Sequence, residues 1–497
     1  MTKTTNSSAG ASAKAALPAA SGTVAGTRLP KSDVSSGVGF AGLLGLLVWI
    51  LFCRSFPLVA ELVGLQGEYG VLSGPYSALL AILFTAGPMA IWSVVVDRVH
   101  LRASTGLDWN LKRPIEETIG ISAIKIIGLW ATWAVLGALY CLCRWYWDGD
   151  YLFAMEVLGF AILPMIVLSV PYVMWLDRHM VEPKDATWHF GALVGTHPAA
   201  VDRTDINFEA VKKHWRAWII KGFFGAFMIS ILPGGFAIIV EAQPADMLSD
   251  PFELGMLLIT FLFVVDVQIG TVGYLFTLRP LDAHIRSGNP FVSGWLAALL
   301  CYPPFVWGII GANNQILSYE TGTAGWGHWL AGQAELMWIW AAWLVFLTAA
   351  YAWATVVFGI RFSNLTYRGV LTNGPYRYTR HPAYLSKNLF WWCSVMPFLV
   401  TNGSYVDVIR NCFFLAAVNA IYYWRARTEE AHLLAEDPKY QEYYDWMEEY
   451  GLITSRLARL KGSAWGLVVG SALKKNPDTT PQNLGASAPH PGQEPAE

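Results

Sequence analysis

What this chain has least of is charge. Asp, Glu, Lys and Arg make up 14% of its 497 residues, while 54% are hydrophobic; a soluble domain carries roughly a quarter charged residues. That shortage excludes reading the length as a string of soluble domains. The net charge of −2 gives no global field for nucleic acid, so no nucleic-acid partner is expected. Cysteine is scarce as well. Cys53, Cys141, Cys143, Cys301, Cys393 and Cys412 lie in or beside apolar stretches and show no paired CxxC spacing, so they read as buried free thiols and not as a zinc site. Walker A and HExxH patterns are missing. His179, His189, His197 and His214 match no metal-ligand spacing, and no metal is expected. Gly37-x-Gly39-x-x-Gly42 matches the dinucleotide pattern, but no strand precedes it and an apolar helix follows, which excludes that reading.

What is present is apolar sequence in blocks of the ~20 residues a bilayer requires. They predict an all-α, polytopic integral membrane protein with ten spans, near 38–60, 75–96, 118–143, 152–176, 217–240, 253–278, 291–312, 335–358, 384–401 and 405–424. Residues 1–36 and 457–497, poor in apolar period, read as disordered tails. Between them, 37–360 form an eight-span region and 361–456 a separate C-terminal unit.

Loop charge orders the spans. Basic residues such as Arg98, Lys112, Arg178, Lys213, Arg279, Arg286, Arg368 and Arg377 follow the even-numbered spans. Acids such as Glu61, Asp148, Glu241 and Glu320 occupy the alternate loops. Basic loops stay cytoplasmic, so both termini are expected on the cytoplasmic side, with the bilayer as the chain's environment. Pro233-Gly234-Gly235 and Pro303-Pro304 are expected to kink or break their helices. Lys125, Glu156, Lys221, Asp266 and Arg410 fall inside proposed spans. Such residues face a bundle interior and often mark function, although Lys125, Lys221 and Arg410 have the length to snorkel. Asp266 is the deepest, and its partner is not readable from sequence.

The chemistry-bearing stretch is C-terminal. Gly374-Pro-Tyr-Arg-Tyr-Thr-Arg-His381-Pro-Ala-Tyr384 follows the eighth span. Pro382 biases His381 toward an extended backbone and is a good first helical residue. Arg380 and His381 are thereby delivered to a helix N-terminus, which favours anions. His381 and Tyr384, three apart, share a face. After the tenth span comes Arg425-Ala-Arg427-Thr-Glu429-Glu430, then Tyr440, Tyr443 and Tyr444. Arg425 and Glu429 are spaced i,i+4 and Arg427 and Glu430 i,i+3. Taken alone, this piece also reads as a juxtamembrane helix with surface ion pairs.

In order, the two pieces resemble the isoprenylcysteine carboxyl methyltransferase and phospholipid methyltransferase families. The resemblance runs from Gly374 to Tyr444, about a sixth of the chain. It implies an S-adenosylmethionine-dependent membrane methyltransferase. Tyr376, Arg380, His381, Pro382, Tyr384, Glu429 and Glu430 would bind the cofactor, and Arg425, Arg427 and Glu430 would act on a lipidic or apolar substrate, in one reading an isoprenylcysteine-type carboxylate. The chain departs from that pattern at Ser386, where the family usually has Gly, and at Lys387 after it. Two other readings stay open: an NADPH-dependent oxidoreductase resembling sterol reductases, and a transporter or scaffold with a degenerate methyltransferase unit.

Overall fold

The computed structural model describes residues 28–195, 205–311 and 315–459. Apart from 28–36 and 457–459, the two expected tails lie outside the described residues, as does His197. The chain is mostly helical. Its N-terminal helices are α1 (Ser36–Leu62), α2 (Pro75–Ile91), α3 (Ile115–Leu142), α4 (Tyr151–Asp177) and α5 (Ala186–Gly195). The middle contains α6 (Phe208–Glu241), α7 (Pro244–Met247), α8 (Pro251–Leu275), α9 (Val292–Leu299) and α10 (Gly325–Trp329). The C-terminal set is α11 (Ala334–Phe358), α12 (Pro382–Val395), α13 (Tyr405–Glu436) and α14 (Pro438–Tyr450).

Local chemistry sets several helix starts. The side chains of Asn207, Asp250, Ser404 and Asp437 accept backbone N–H bonds in the first turns of α6, α8, α13 and α14. Pro251, Pro382 and Pro438 open their helices, where no N–H partner is needed.

Seven helices are long and apolar enough to cross a membrane: α1, α2 extended to Val96, α3, α4, α6, α8, and α11 extended to Arg361. They account for seven of the ten expected spans. The stretch 291–312 joins the two ends of the bundle but is not one helix: α9 stops at Leu299 and turns follow. The stretch 384–401 gives only the 14-residue α12, ended by left-handed Met396. The stretch 405–424 is the first part of the 32-residue α13, whose charged second half continues the same helix. Pro233-Gly234-Gly235, by contrast, lies within an unbroken α6; packed neighbours tolerate Pro inside membrane helices.

The rejected glycine motif has a packing role. A Cβ on Gly39 would fall 1.7 Å from the Val356 carbonyl oxygen, and one on Gly42 would fall 2.1 Å from the Met89 methyl. These glycines let α1 lie directly on α11 and α2. Elsewhere, several ionisable groups inside the bundle are paired. Asp266 on α8 accepts from Tyr351 at 3.0 Å and from Thr355, both on α11. Lys125 does not snorkel: its ammonium is 2.6 Å from Asp177 and 3.2 Å from Asp185. Arg54 donates to the carbonyls of Ile239, Val240 and Ala242 at the end of α6, where orphan carbonyls and the helix dipole favour a cation.

The loops expected on one side gather at one end. β1 (Ser287–Gly288) pairs antiparallel with β4 (Thr366–Tyr367). A bridge joins Leu107 to Met180, and Ser104 donates to Asp282 at 2.7 Å. Residues 32–34, expected as part of a tail, dock there too: Asp33 bonds the Val370 backbone and lies 2.6 Å from Lys439. At the opposite end, Ser73 reaches Glu241, and β2 (Ile310–Gly311) pairs parallel with β3 (Leu317–Ser318).

Candidate active site

The turn at Gly374–Arg377 and the start of α12 face the charged second half of α13. His381 precedes Pro382, the first residue of α12, with an N-terminal backbone that is not helical (φ −129°, ψ 60°). Its ring stacks on that of Tyr384, centroids 5.6 Å apart and planes 8° apart. Hairpin geometry then closes the pair onto α13. Tyr384 donates to Glu429 at 2.5 Å, His381 Nε2 lies 2.9 Å from Glu430, and Arg380 Nε donates to Glu430 at 2.7 Å. The two motifs, 49 residues apart at His381 and Glu430, therefore meet.

Glu430 is buried, with 3% of its side chain exposed. One oxygen serves Arg380 and His381, and the other accepts from Arg427. Burial alone would raise its carboxyl. The His381 bond and the Arg380 and Arg427 charges outweigh that and hold it down at about 2. Arg380 also reaches Glu448 at 2.7 Å and lies over the Tyr444 ring. Burial would lower the Arg380 guanidinium, but Glu430 and Glu448 raise it above its ordinary value. Glu430 thus stands behind Arg380 and His381, holding both.

These elements enclose a cavity of about 170 Å³. Tyr376, Arg380, His381, Tyr384, Arg425 and Glu429 line it. Arg425 is buried, donating to Glu429 at 3.1 Å and to Asn364 at 2.5 Å, with its guanidinium over the Tyr302 and Tyr384 rings. Arg427 is absent from the lining; its side chain is 49% exposed and turns to Glu430 and Tyr444. Pro382 starts the helix and does not line the cavity. Ser386 is buried and donates to the Pro382 carbonyl at 2.8 Å, so its hydroxyl is satisfied within α12.

Sequence reasoning missed several lining residues. Tyr302 arrives from the broken 291–312 stretch and Tyr351 from α11. Asn364 links Arg425 to Tyr274 and Tyr302. Arg368 is 4% exposed, spends its terminal nitrogens on backbone carbonyls including Gly273 and Phe362, and leaves Nε without a partner among the described residues. Lys387 lies 5.7 and 5.5 Å from the Tyr351 and Tyr422 ring centroids. Burial holds the lining His432 at about 4, neutral at ordinary pH, with Nε2 3.0 Å from the Ser287 hydroxyl. The lining has five cations, Arg361, Arg368, Arg380, Lys387 and Arg425, against one acid, Glu429. Arg361 is paired with Asp282, Arg380 with Glu430 and Glu448, and Arg425 with Glu429, which leaves Arg368 and Lys387 without an acid partner among the described residues in a tyrosine-walled space suited to an anion and to a cation–π contact. Among the described residues, no group of three His, Cys, Asp or Glu side chains could hold a metal.

Residues 335–435 match the isoprenylcysteine carboxyl methyltransferase family and form a domain of that family in the C-terminal part of the chain. The match begins before the motif loop and takes in α11, whose Tyr351, Thr355 and Phe358 line the cavity. No curated protein and no solved structure matches the chain.

Proposed function

We propose that this chain is an integral-membrane, S-adenosylmethionine-dependent methyltransferase whose acceptor is a lipidic carboxylate of the isoprenylcysteine type. The observation that carries the reading is the meeting of Arg380, His381 and Tyr384 with Arg425 and Glu429 on one cavity lined mostly by residues of the family domain.

The donor set fits the cofactor. Arg380, His381 and the free N–H groups at the start of α12 suit its carboxylate. Glu429 suits its ammonium or ribose hydroxyls. The face of Tyr376 suits a sulfonium. When bound, the cofactor supplies an electrophilic methyl group. Glu430 is a positioning residue, acting through the bonds it makes to Arg380 and His381. Arg425, buried and clamped by Asn364 and Glu429, presents a planar cation to an acceptor carboxylate. A carboxylate nucleophile is already deprotonated and requires no general base, so the protein's contribution is alignment in a water-poor space. Arg427 sits one helical face away and supports Glu430.

Calorimetry on detergent-purified full chain tests the reading. S-adenosylmethionine is expected to bind and NADPH not, with affinity lost in His381→Ala. NADPH binding without S-adenosylmethionine binding would overturn it in favour of a reductase.

A further inference from the structure

A second and much larger cavity, about 1670 Å³, lies outside the family domain. Three helices wall it with stripes at helical spacing. These are Lys125, Leu129 and Trp133 on α3, residues from Ala161 to Leu176 on α4, and Lys213, Ala217, Trp218 and Lys221 on α6. Its character changes along its length. Toward Trp133 and Ala161 the wall is aliphatic and aromatic. At the other end, beside the start of α3, the end of α4 and the start of α6, it is basic. From Ala161 to Leu176 the apolar wall runs ~22 Å at 1.5 Å per residue, against ~30 Å for a hydrocarbon core.

The basic end has more cations than its acids satisfy. Six Lys or Arg residues line the cavity against Asp108, Glu182 and Asp185. Lys125 and Arg279 share Asp185, and Arg286 pairs with Asp282. Lys184, Lys213 and Lys221 make no ion pair among the described residues. Lys221 rests on the Thr277 hydroxyl at 2.7 Å and over the Trp218 ring at 4.4 Å. Two buried polar atoms there, His284 Nδ1 and Arg286 Nε, have no partner among the described residues. Burial, then the charges of Arg279, Arg286 and Arg368, push His284 down to about 2, so it is neutral in a positive field. The same strip borders the first cavity, since the Ala283 carbonyl accepts from Arg368.

We infer that this chamber binds one anionic amphiphile, its phosphate or carboxylate head held by Lys221, Lys213 and Arg279 and its chain laid along the α3–α4–α6 wall. Charge complementarity selects the head, and wall length selects a membrane acyl chain over a short solute. The inference does not depend on methyl transfer.

Native mass spectrometry of the full chain, incubated with equal phosphatidylglycerol and phosphatidylcholine, provides the test. Wild type is expected to retain one phosphatidylglycerol with about tenfold preference, the equivalent of one charge-assisted bond. Lys221→Gln is expected to abolish the preference. Lys213→Gln, at an exposed position, is expected to weaken it and carries the test if Lys221→Gln cannot be purified. Ala217→Trp, which fills the apolar wall, is expected to reduce retention of both lipids. Excess inorganic phosphate is expected to compete poorly. Equal retention of the two lipids by wild type, an unchanged preference in the Lys variants, or full displacement by phosphate would overturn the inference.

Discussion

Replacing Glu430 by Gln tests the centre of the proposed site, because it keeps the shape and removes the charge that Arg380, His381 and Arg427 share. The carboxyl is held at about 2 against an ordinary 4.5. At about 1.4 kcal/mol per pH unit, that depression corresponds to about 3 kcal/mol of stability. The sign follows from the lowered value. The contribution is present above pH ~4.5 and disappears as pH falls toward ~2. Glu430→Gln is therefore expected to lower the melting temperature of the detergent-solubilised protein at pH ~5–7, with the difference vanishing in strong acid. Breaking a buried pair costs about 3–5 kcal/mol, which sets a similar scale. With Arg380 still tied to Glu448 but His381 released, S-adenosylmethionine affinity is expected to fall about tenfold or more. Differential scanning fluorimetry and calorimetry on the same preparation read the two effects. A variant that melts like wild type and binds the cofactor equally well would refute the reasoning.

Arg425→Lys is expected to cut turnover of a carboxylate amphiphile, read by methyl transfer from labelled S-adenosylmethionine, about tenfold or more with cofactor binding nearly intact, because Lys cannot offer a bidentate fork; Arg427→Lys, on the exposed side, is expected to stay near full activity in the same assay. Asp266→Ala leaves the Tyr351 and Thr355 hydroxyls unpaired and is expected to cost about 1–3 kcal/mol, measured by melting, while Asp266→Asn costs less; a loss of turnover in Asp266→Asn with unchanged melting would show that Asp266 is more than a helix clamp. Cysteines introduced at exposed Glu68 and Lys112 are expected to label from opposite sides of sealed membranes, with Lys112 cytoplasmic; labelling from one side would overturn the assigned topology.

The site was legible where short-range geometry fixes it. Pro382 sets the helix start, so His381 and Tyr384 had to share a face, and the i,i+4 and i,i+3 pairs of α13 appear as read. The same α13 pairs did not reveal which Arg enters the cavity. Two residues on a helix differ by about 200° of rotation, and only tertiary packing decides which side is inward. Asn364 and Tyr302 carried no motif signal, since their roles come from a loop and a broken stretch meeting Arg425. The stretches 291–312, 384–401 and 405–424 are not three separate ~20-residue helices because each divides its apolar residues between packing and exposure: Val395, Leu415 and Val418 are buried, while Val292, Leu296, Ile409 and Phe413 are exposed. A hydropathy window cannot tell such burial from a lipid-facing helix. The partners of Asp266 were not readable because Tyr351 and Thr355 lie 85 and 89 residues away.

The most direct measurement is transfer of labelled methyl from S-adenosylmethionine, by the full chain in membranes, into a panel of prenyl-cysteine, fatty-acid, phospholipid and small-thiol acceptors. The account predicts base-labile label in a lipidic carboxylate, abolished in His381→Ala and strongly reduced in Arg425→Lys. Label only in aminophospholipids or thiols, or transfer indifferent to both substitutions, would contradict it.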